Sequence, residues 1–434
     1  MYLRKPYNKQ RTHQSMPIPG ANQVPNSAGG FAWAVDDWAR LDRFLILGAE
    51  GGTYYSGEQQ LTLENAAAVC RCIDQDGVRV VARVVAVSES GRAPKNDPAL
   101  FVLALAAGKG NPVTRQAALD ALPGVARTGT HLFHFLAFVE NFRGWGRGLR
   151  RAVAAWYNAM PLDRLAYQAI KYQQRDGWSH RDALRLAHPR ADHEQRNALY
   201  RWIVRGWPLT DETLRREDAL PIVWAFEQAR FAQDEQTIIG LLTKFGLPWE
   251  ALPTQWLGHA EVWRALLPQL PLTALLRNLA RMTANGLLTA QSQPVEQVIQ
   301  RLENAQQIRQ ARIHPLAVLA AMQTYARGRG MRGQGKWQPV DEIVAALDRA
   351  FYLSFGNVTP TGKRIVLALD VSASMEAGAV GGVVGLTPRI ASAAMGLITA
   401  ATEPQHQIIA FAHQMQPLDI RPRQRLDEVI RTMR

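Results

Sequence analysis

Up to about residue 350 the chain alternates short apolar-periodic stretches with Pro- and Gly-rich breaks. LENAAAVCRCI, PALFVLALAAG, VTRQAALDALPGVA, GLRRAVAAWYNAM, EVWRALLPQL, PLTALLRNLARM and PLAVLAAMQTYA each carry apolar residues at three-to-four spacing, the signature of one buried helix face. Pro and Gly punctuate them at short intervals. No clean repeat period runs through the series. Many short amphipathic helices in succession predict a mainly α fold, an α-solenoid of degenerate helical pairs. Beyond residue 360 the pattern changes. Five apolar residues, Ile365 to Leu369, run straight into Asp370 and predict a buried strand. A helix over about 388–403, a strand at QIIAFAH (407–413) and a helix at RLDEVIRTMR (425–434) follow, which reads as an α/β segment.

One stretch combines this patterning with charge. In KYQQRDGWSHRDALRLAHPR, Lys171 and Arg175 stand four apart, the spacing of one helix face. Gly177 is expected to break that helix, and Ser179 with Asp182 three residues on predicts a capping box for the next. Pro189 closes it. Within this second helix Arg181, Arg185 and His188 fall at i, i+4 and i+7 and line a single stripe. His180 and His188 cannot chelate one ion, because eight helical residues separate them by roughly 12 Å. Contact with a phosphate or a base suits the stripe; the bland alternative is a solvated helix face.

Charge over the whole chain points the same way. The formal net charge is +13, which favours an anionic partner. Residues 141–205 hold thirteen Lys or Arg against five Asp or Glu, together with nine aromatic residues: Phe142, Trp145, Trp156, Tyr157, Tyr167, Tyr172, Trp178, Tyr200 and Trp202. Cations for phosphates, interleaved with flat rings for bases, make the footprint expected of an RNA-binding surface. The opposing reading puts the rings in the core and the arginines on a solvated face. The first thirty residues contain no acid and read as a mobile basic arm without the apolar core of a signal peptide. No apolar run reaches the roughly 18 residues needed to cross a membrane. Cys70 and Cys72 are the only cysteines, too few for a disulfide framework, and a reducing cytoplasm is the simple inference.

Two glycine-rich segments imitate nucleotide loops without completing them. GMRGQGKW (330–337) places Trp337 where a Mg²⁺-binding hydroxyl is required, and GAEGGTYY (48–55) lacks the dinucleotide spacing. No nucleophile and base stand together in a recognisable arrangement.

GWSHRDALRLAH, AEGGTYY, PLTALLRNLARMTANG, ARIHPLAVLAAMQTY and PTGKRIVLALDVSASM together resemble the Ro autoantigen family, the proteins of the TROVE module, over residues 31 to the end. The arginine load and lean arm look bacterial. The resemblance implies a ring-like solenoid of HEAT-like helical repeats, residues 31–360 after the arm of residues 1–30, followed by a Rossmann-like von Willebrand A domain of which residues 361–434 would be the N-terminal part. It implies Y-like small noncoding RNA on the ring's outer surface, single-stranded 3′ ends of misfolded RNA in its hole, and work beside exoribonucleases such as polynucleotide phosphorylase. Lys171, Arg175 and His188 match the family's Y RNA contacts; Arg181 and Arg185 extend them by helical geometry.

D-x-S-x-S after an apolar strand resembles the metal-ion-dependent adhesion site of von Willebrand A domains. Asp370, Ser372 and Ser374 supply a carboxylate and two hydroxyls, hard oxygen donors suited to Mg²⁺. They stand at the carboxyl end of a strand, where open α/β sheets bind ligands. The family's later threonine loop and several strands and helices do not appear before residue 434. A fragment or truncated form is therefore expected, with weak or absent metal binding and with the strands at 364–370 and 407–413 short of sheet neighbours. The functional expectation is a noncatalytic, monomeric, cytoplasmic RNA-binding protein of RNA quality control. The alternative is a protein-interaction adaptor acting through the metal site. A hydrolytic metalloenzyme ranks below both, because no base or second metal set accompanies Asp370.

Overall fold

The computed structural model describes residues 16–26, 29–48, 58–93, 95–206, 216–330 and 335–433. Most of the expected basic arm and of the glycine-rich segment at 48–55 lies outside them. The chain divides into two compact units, Met1–Trp224 and Ala225–Arg434.

The first unit opens with a small antiparallel pair, β1 (Gln23–Pro25) and β2 (Phe31–Trp33). Helices follow: α1 (Asp37–Leu47), α2 (Glu58–Ser90), α3 (Asp97–Lys109), α4 (Pro112–Asp120), α5 (Leu122–Val125), α6 (Gly129–Glu140), α7 (Arg147–Ala159) and α8 (Leu162–Lys171). A two-residue ribbon, β3 (Gln174–Arg175) and β4 (Trp178–Ser179), leads into α9 (His180–Ala187) and α10 (Glu194–Arg205). The periodic stretches in the sequence became these helices because each hides one face. Helix α3 hides nearly all of itself, with Ala99, Leu100 and the run Val102–Ala107 buried under α1, α2, α4 and α6. Trp156, Tyr157, Phe133 and Phe135 are the largest fully buried side chains among the described residues of this unit. Long α2 is broken at Asp76, whose backbone leaves the helical region while its carboxylate accepts from Arg79 N at 3.0 Å, as a fresh N-cap would.

Helix α11 (Pro221–Phe231) carries the chain across the division between the units. The second unit continues with α12 (Glu235–Phe245), α13 (Ala260–Leu266), α14 (Leu272–Ala284), α15 (Gln293–Leu302), α16 (Ala305–Gln310), α17 (Pro315–Ala326) and α18 (Asp341–Leu353). Trp263 and Phe351 are buried at its centre. The expected mainly α architecture is therefore present in both units.

The C-terminal segment has the expected strand–helix–strand order: β5 (Ile365–Asp370), α19 (Pro388–Thr402) and β6 (His406–Phe411), paired in parallel, then α20 (Leu426–Thr432). One element was not expected. Strand β7 (Met415–Pro417) folds back antiparallel on β6, giving the order β5-β6-β7. Strand β6 thus has neighbours on both sides, and the expectation that both strands lack partners holds only for β5, whose outer edge meets no described strand. Leu369, Ile408 and Ala410 are buried, whereas Val366 on the other face of the sheet is exposed.

Candidate RNA-binding and metal sites

The basic stripe is built on a hairpin that the helical spacing did not show. Helix α8 ends at Lys171, and Arg175 sits on β3, so Lys171 and Arg175 do not share a helix face. The reason is Asp176-Gly177. Both residues have positive φ, 50° and 78°, the geometry of the tight turn that Asp-Gly favours between antiparallel strands. Gly177 turns a ribbon instead of breaking a helix.

Past the ribbon the expected capping box is present, while His188 falls just outside the helix that was expected to carry it. Ser179 caps α9: its hydroxyl accepts from Asp182 N at 3.3 Å, and the Asp182 carboxylate accepts from Ser179 N at 3.1 Å. Arg181 and Arg185 are exposed one turn apart, and His188, left-handed at φ 48° just before Pro189, ends the helix and is exposed. Lys171 is half-buried, its ammonium 5.4 Å and 5.6 Å from the ring centres of Tyr167 and Tyr172.

The two acids nearest the stripe in sequence, Asp176 and Asp182, are engaged by partners that hold the fold. Asp176 is hydrogen-bonded to His134 Nδ1, and Asp182 is engaged by Ser179. No described carboxylate pairs with Arg175, Arg181, Arg185 or His188. Three guanidinium groups and an imidazole are left facing water, an arrangement that suits phosphate.

His180 takes no part in it. The ring is 3% exposed, and its Nδ1 lies 2.8 Å from the Tyr157 hydroxyl between Phe133 and Trp156. Burial pushes its pKa down to about 4. It is a core histidine.

For five of the nine aromatic residues the core reading holds and a stacking role falls away. Trp156, Tyr157, Trp178, Tyr200 and Trp202 are buried, Tyr200 with its hydroxyl donating to Asn158 Oδ1 at 2.7 Å. Amphipathic helices place their largest rings inward, and interleaving in sequence does not alter that. One of the thirteen basic residues is interior too. Arg196 donates to the carbonyls of Tyr157 and Met160 at 2.9 and 3.1 Å, satisfying the end of α7.

At the end of β5 the D-x-S-x-S residues converge. Ser372 N donates to Asp370 Oδ1 at 2.8 Å, and the Ser372 and Ser374 hydroxyls are 2.9 Å apart at the start of a short 3₁₀ turn, Ala373–Glu376. The bonds from Ser372 and, after them, the Arg389 guanidinium hold the Asp370 carboxyl below its ordinary range. It is an ionised donor beside two hydroxyls, a set that fits a hard dication. Among the described residues no group of three or more His, Cys, Asp or Glu is placed to hold a metal, so a site here depends on the hydroxyls.

Arg389, which the sequence did not single out, fixes this loop. Its side chain is 7% exposed and donates to the carbonyls of Val371 and Ser372 at 3.2 and 3.1 Å and to Met433 O at 3.3 Å. Its Nε lies 3.3 Å from Glu376.

A helical chain with a basic hairpin, ending in a sheet that carries D-x-S-x-S, is the build of a TROVE protein. Residues 24–237 and 243–324 match the TROVE domain, and residues 364–434 match the Ro60 vWA domain. The chain belongs to the Ro60 family. It is 46% identical over 411 residues to the RNA-binding protein RO60 of Deinococcus radiodurans, covering 94% of this chain and 76% of that protein. It is 34% identical over 469 residues to the RNA-binding protein RO60 of Caenorhabditis elegans, covering 91% and 72%. It is also similar to the crystal structure of the D. radiodurans RO (RSR) protein, with a TM-score of 0.80 and 45% identity over 92% of this chain and 80% of that one.

Proposed function

We propose that this chain is a noncatalytic RNA-binding protein of RNA quality control. Arg175, Arg181, Arg185 and His188, with Lys171 beside them, take the phosphates of a structured, Y-like small noncoding RNA. The observation that carries this reading is the exposure of Arg175, Arg181, Arg185 and His188 while the neighbouring acids Asp176 and Asp182 are engaged elsewhere. Relatives named as RNA-binding proteins support it. In the same reading the protein works in the cytoplasm as a monomer. It also receives single-stranded 3′ ends of misfolded RNA and serves decay or maturation alongside an exoribonuclease such as polynucleotide phosphorylase. Mg²⁺ is held, weakly, by Asp370, Ser372 and Ser374.

Filter binding of a structured RNA across a salt series tests the central claim. Phosphate contacts release counterions, so the logarithm of affinity should fall linearly with the logarithm of salt. Affinity that stays flat between about 50 and 200 mM salt overturns it. The convergence of Asp370, Ser372 and Ser374 favours a second reading, an adaptor that grips a partner's carboxylate through the metal; its binding would require Mg²⁺ and ignore RNA.

A further inference from the structure

The second unit carries a basic element that none of these readings uses. Between Glu303 and Asp341 the sequence has no acidic residue, against six arginines and lysines. Two of them face each other. After α17 the chain forms the stem of a hairpin in which Arg329 and Lys336 are an antiparallel bridging pair, and Gly330 N donates to Gly335 O at 2.9 Å. Both side chains are exposed. Like charges directly opposite across two strands destabilise the pairing, and two strands alone are marginal in water. Something else must hold this stem.

Its base does so. Trp337 N donates to Gly328 O at 3.0 Å, and Trp337 Nε1 donates to Tyr325 O at 2.8 Å, with the two rings stacked. Tyr325 is buried, its hydroxyl accepting from Val340 N at 3.2 Å and lying 2.9 Å from Thr283 Oγ1. Gly328 has φ +67°, and a Cβ there would stand 2.8 Å from Trp337 O, so only glycine closes the stem. The flanking acids do not neutralise the pair. Glu303 is taken by Arg349, and Glu342 accepts from Gln291 N. No described carboxylate reaches Arg329 or Lys336.

A braced stem that holds two cations opposite each other, against their repulsion and with no described carboxylate beside them, is complementary to a polyanion. We infer that Arg329 and Lys336 bind the sugar–phosphate backbone of RNA, as a second contact carried by the other unit from the Lys171–His188 stripe. The inference rests on the RNA-binding reading and adds residues that the charge cluster at 141–205 did not include. The half-buried Trp337 braces the stem from beneath, so the contact reads phosphates and not base identity.

The test uses the full chain with two RNAs, a blunt hairpin and the same hairpin with a short single-stranded 3′ tail. Arg329→Glu with Lys336→Glu should weaken binding of at least one of them by roughly tenfold or more, and the RNA affected tells which form the stem holds. The neutral pair Arg329→Gln with Lys336→Gln, which leaves the stem without new repulsion, should lower the slope of log affinity against log salt by about 1.4–1.8. Circular dichroism of the neutral pair should match the parent. Unchanged affinity of both variants for both RNAs, while Lys171→Ala with Arg175→Ala loses binding, overturns this inference and leaves the stripe standing. If the parent chain binds neither RNA, the underlying reading fails and this one with it.

Discussion

The imidazole of His134 bonds the carboxylate of Asp176, and its other nitrogen lies 3.7 Å from Asp97. One ring on α6 thus ties the tip of the β3–β4 turn to the start of α3. The turn carries Arg175, so the tie fixes where that guanidinium is presented.

His134→Ala should therefore weaken structured-RNA binding about three- to tenfold through lost preorganisation, roughly 1 kcal/mol. Filter binding of the single variants and the double variant with Arg175→Ala checks the route. If His134 acts through Arg175, its effect disappears in the Arg175→Ala background. Equal losses in both backgrounds would place its action elsewhere.

Arg181→Ala and Arg185→Ala are each expected to reduce the salt slope of RNA binding by about one and to weaken all sequences alike, as loss of a phosphate contact does. Both side chains are exposed on α9, so circular dichroism should not change. A slope equal to the parent's in both variants would make this an ordinary solvated face.

His180 sets an acid limit on stability. Its folded pKa, about 4, lies below the ordinary histidine value of 6.5. The unfolded chain takes up a proton as pH falls below 6.5 while the folded chain resists until about 4, so stability is full above that window and is lost through it. The loss from this residue alone should be roughly 2 kcal/mol between pH 7 and 5. Urea unfolding at several pH values reads it, and His180→Gln should flatten the dependence in that range. An equally steep dependence in the variant would assign it to other groups, with His131, also pushed down to about 4 by burial, the first to test.

Calorimetric titration with Mg²⁺ should give weak binding or none, because three protein oxygens meet half of an octahedral demand. Whatever heat is found should vanish in Asp370→Ala. Tight binding, or binding indifferent to Asp370, would refute the assignment of this loop.

The helices could be read in the sequence because a buried face leaves its period in the chain. Ser179 and Asp182 showed the start of α9 for a similar local reason, since a capping box is complete within four residues. The β3–β4 ribbon was missed although Asp176-Gly177 announced a tight turn, because strands of two residues are too short to show alternation. The aromatic residues of the charged region stayed open between core and stacking, because composition does not tell which side of a helix a ring is on. Arg389 was invisible for a different reason. Its partners Val371, Ser372 and Met433 are remote in sequence, and only the folded chain brings their carbonyls together.

The parallel pairing of β5 with β6 has a kinetic consequence. Ile365 meets His406 across some forty residues that include all of α19, so no rung of this ladder can form until that length of chain has closed on itself. The helices before it gain their hydrogen bonds from residues four positions away and can form early. The segment that carries Asp370 should be the last part of the chain to become native after synthesis, and in the interval its apolar strands are the stretch most in need of a chaperone's cover.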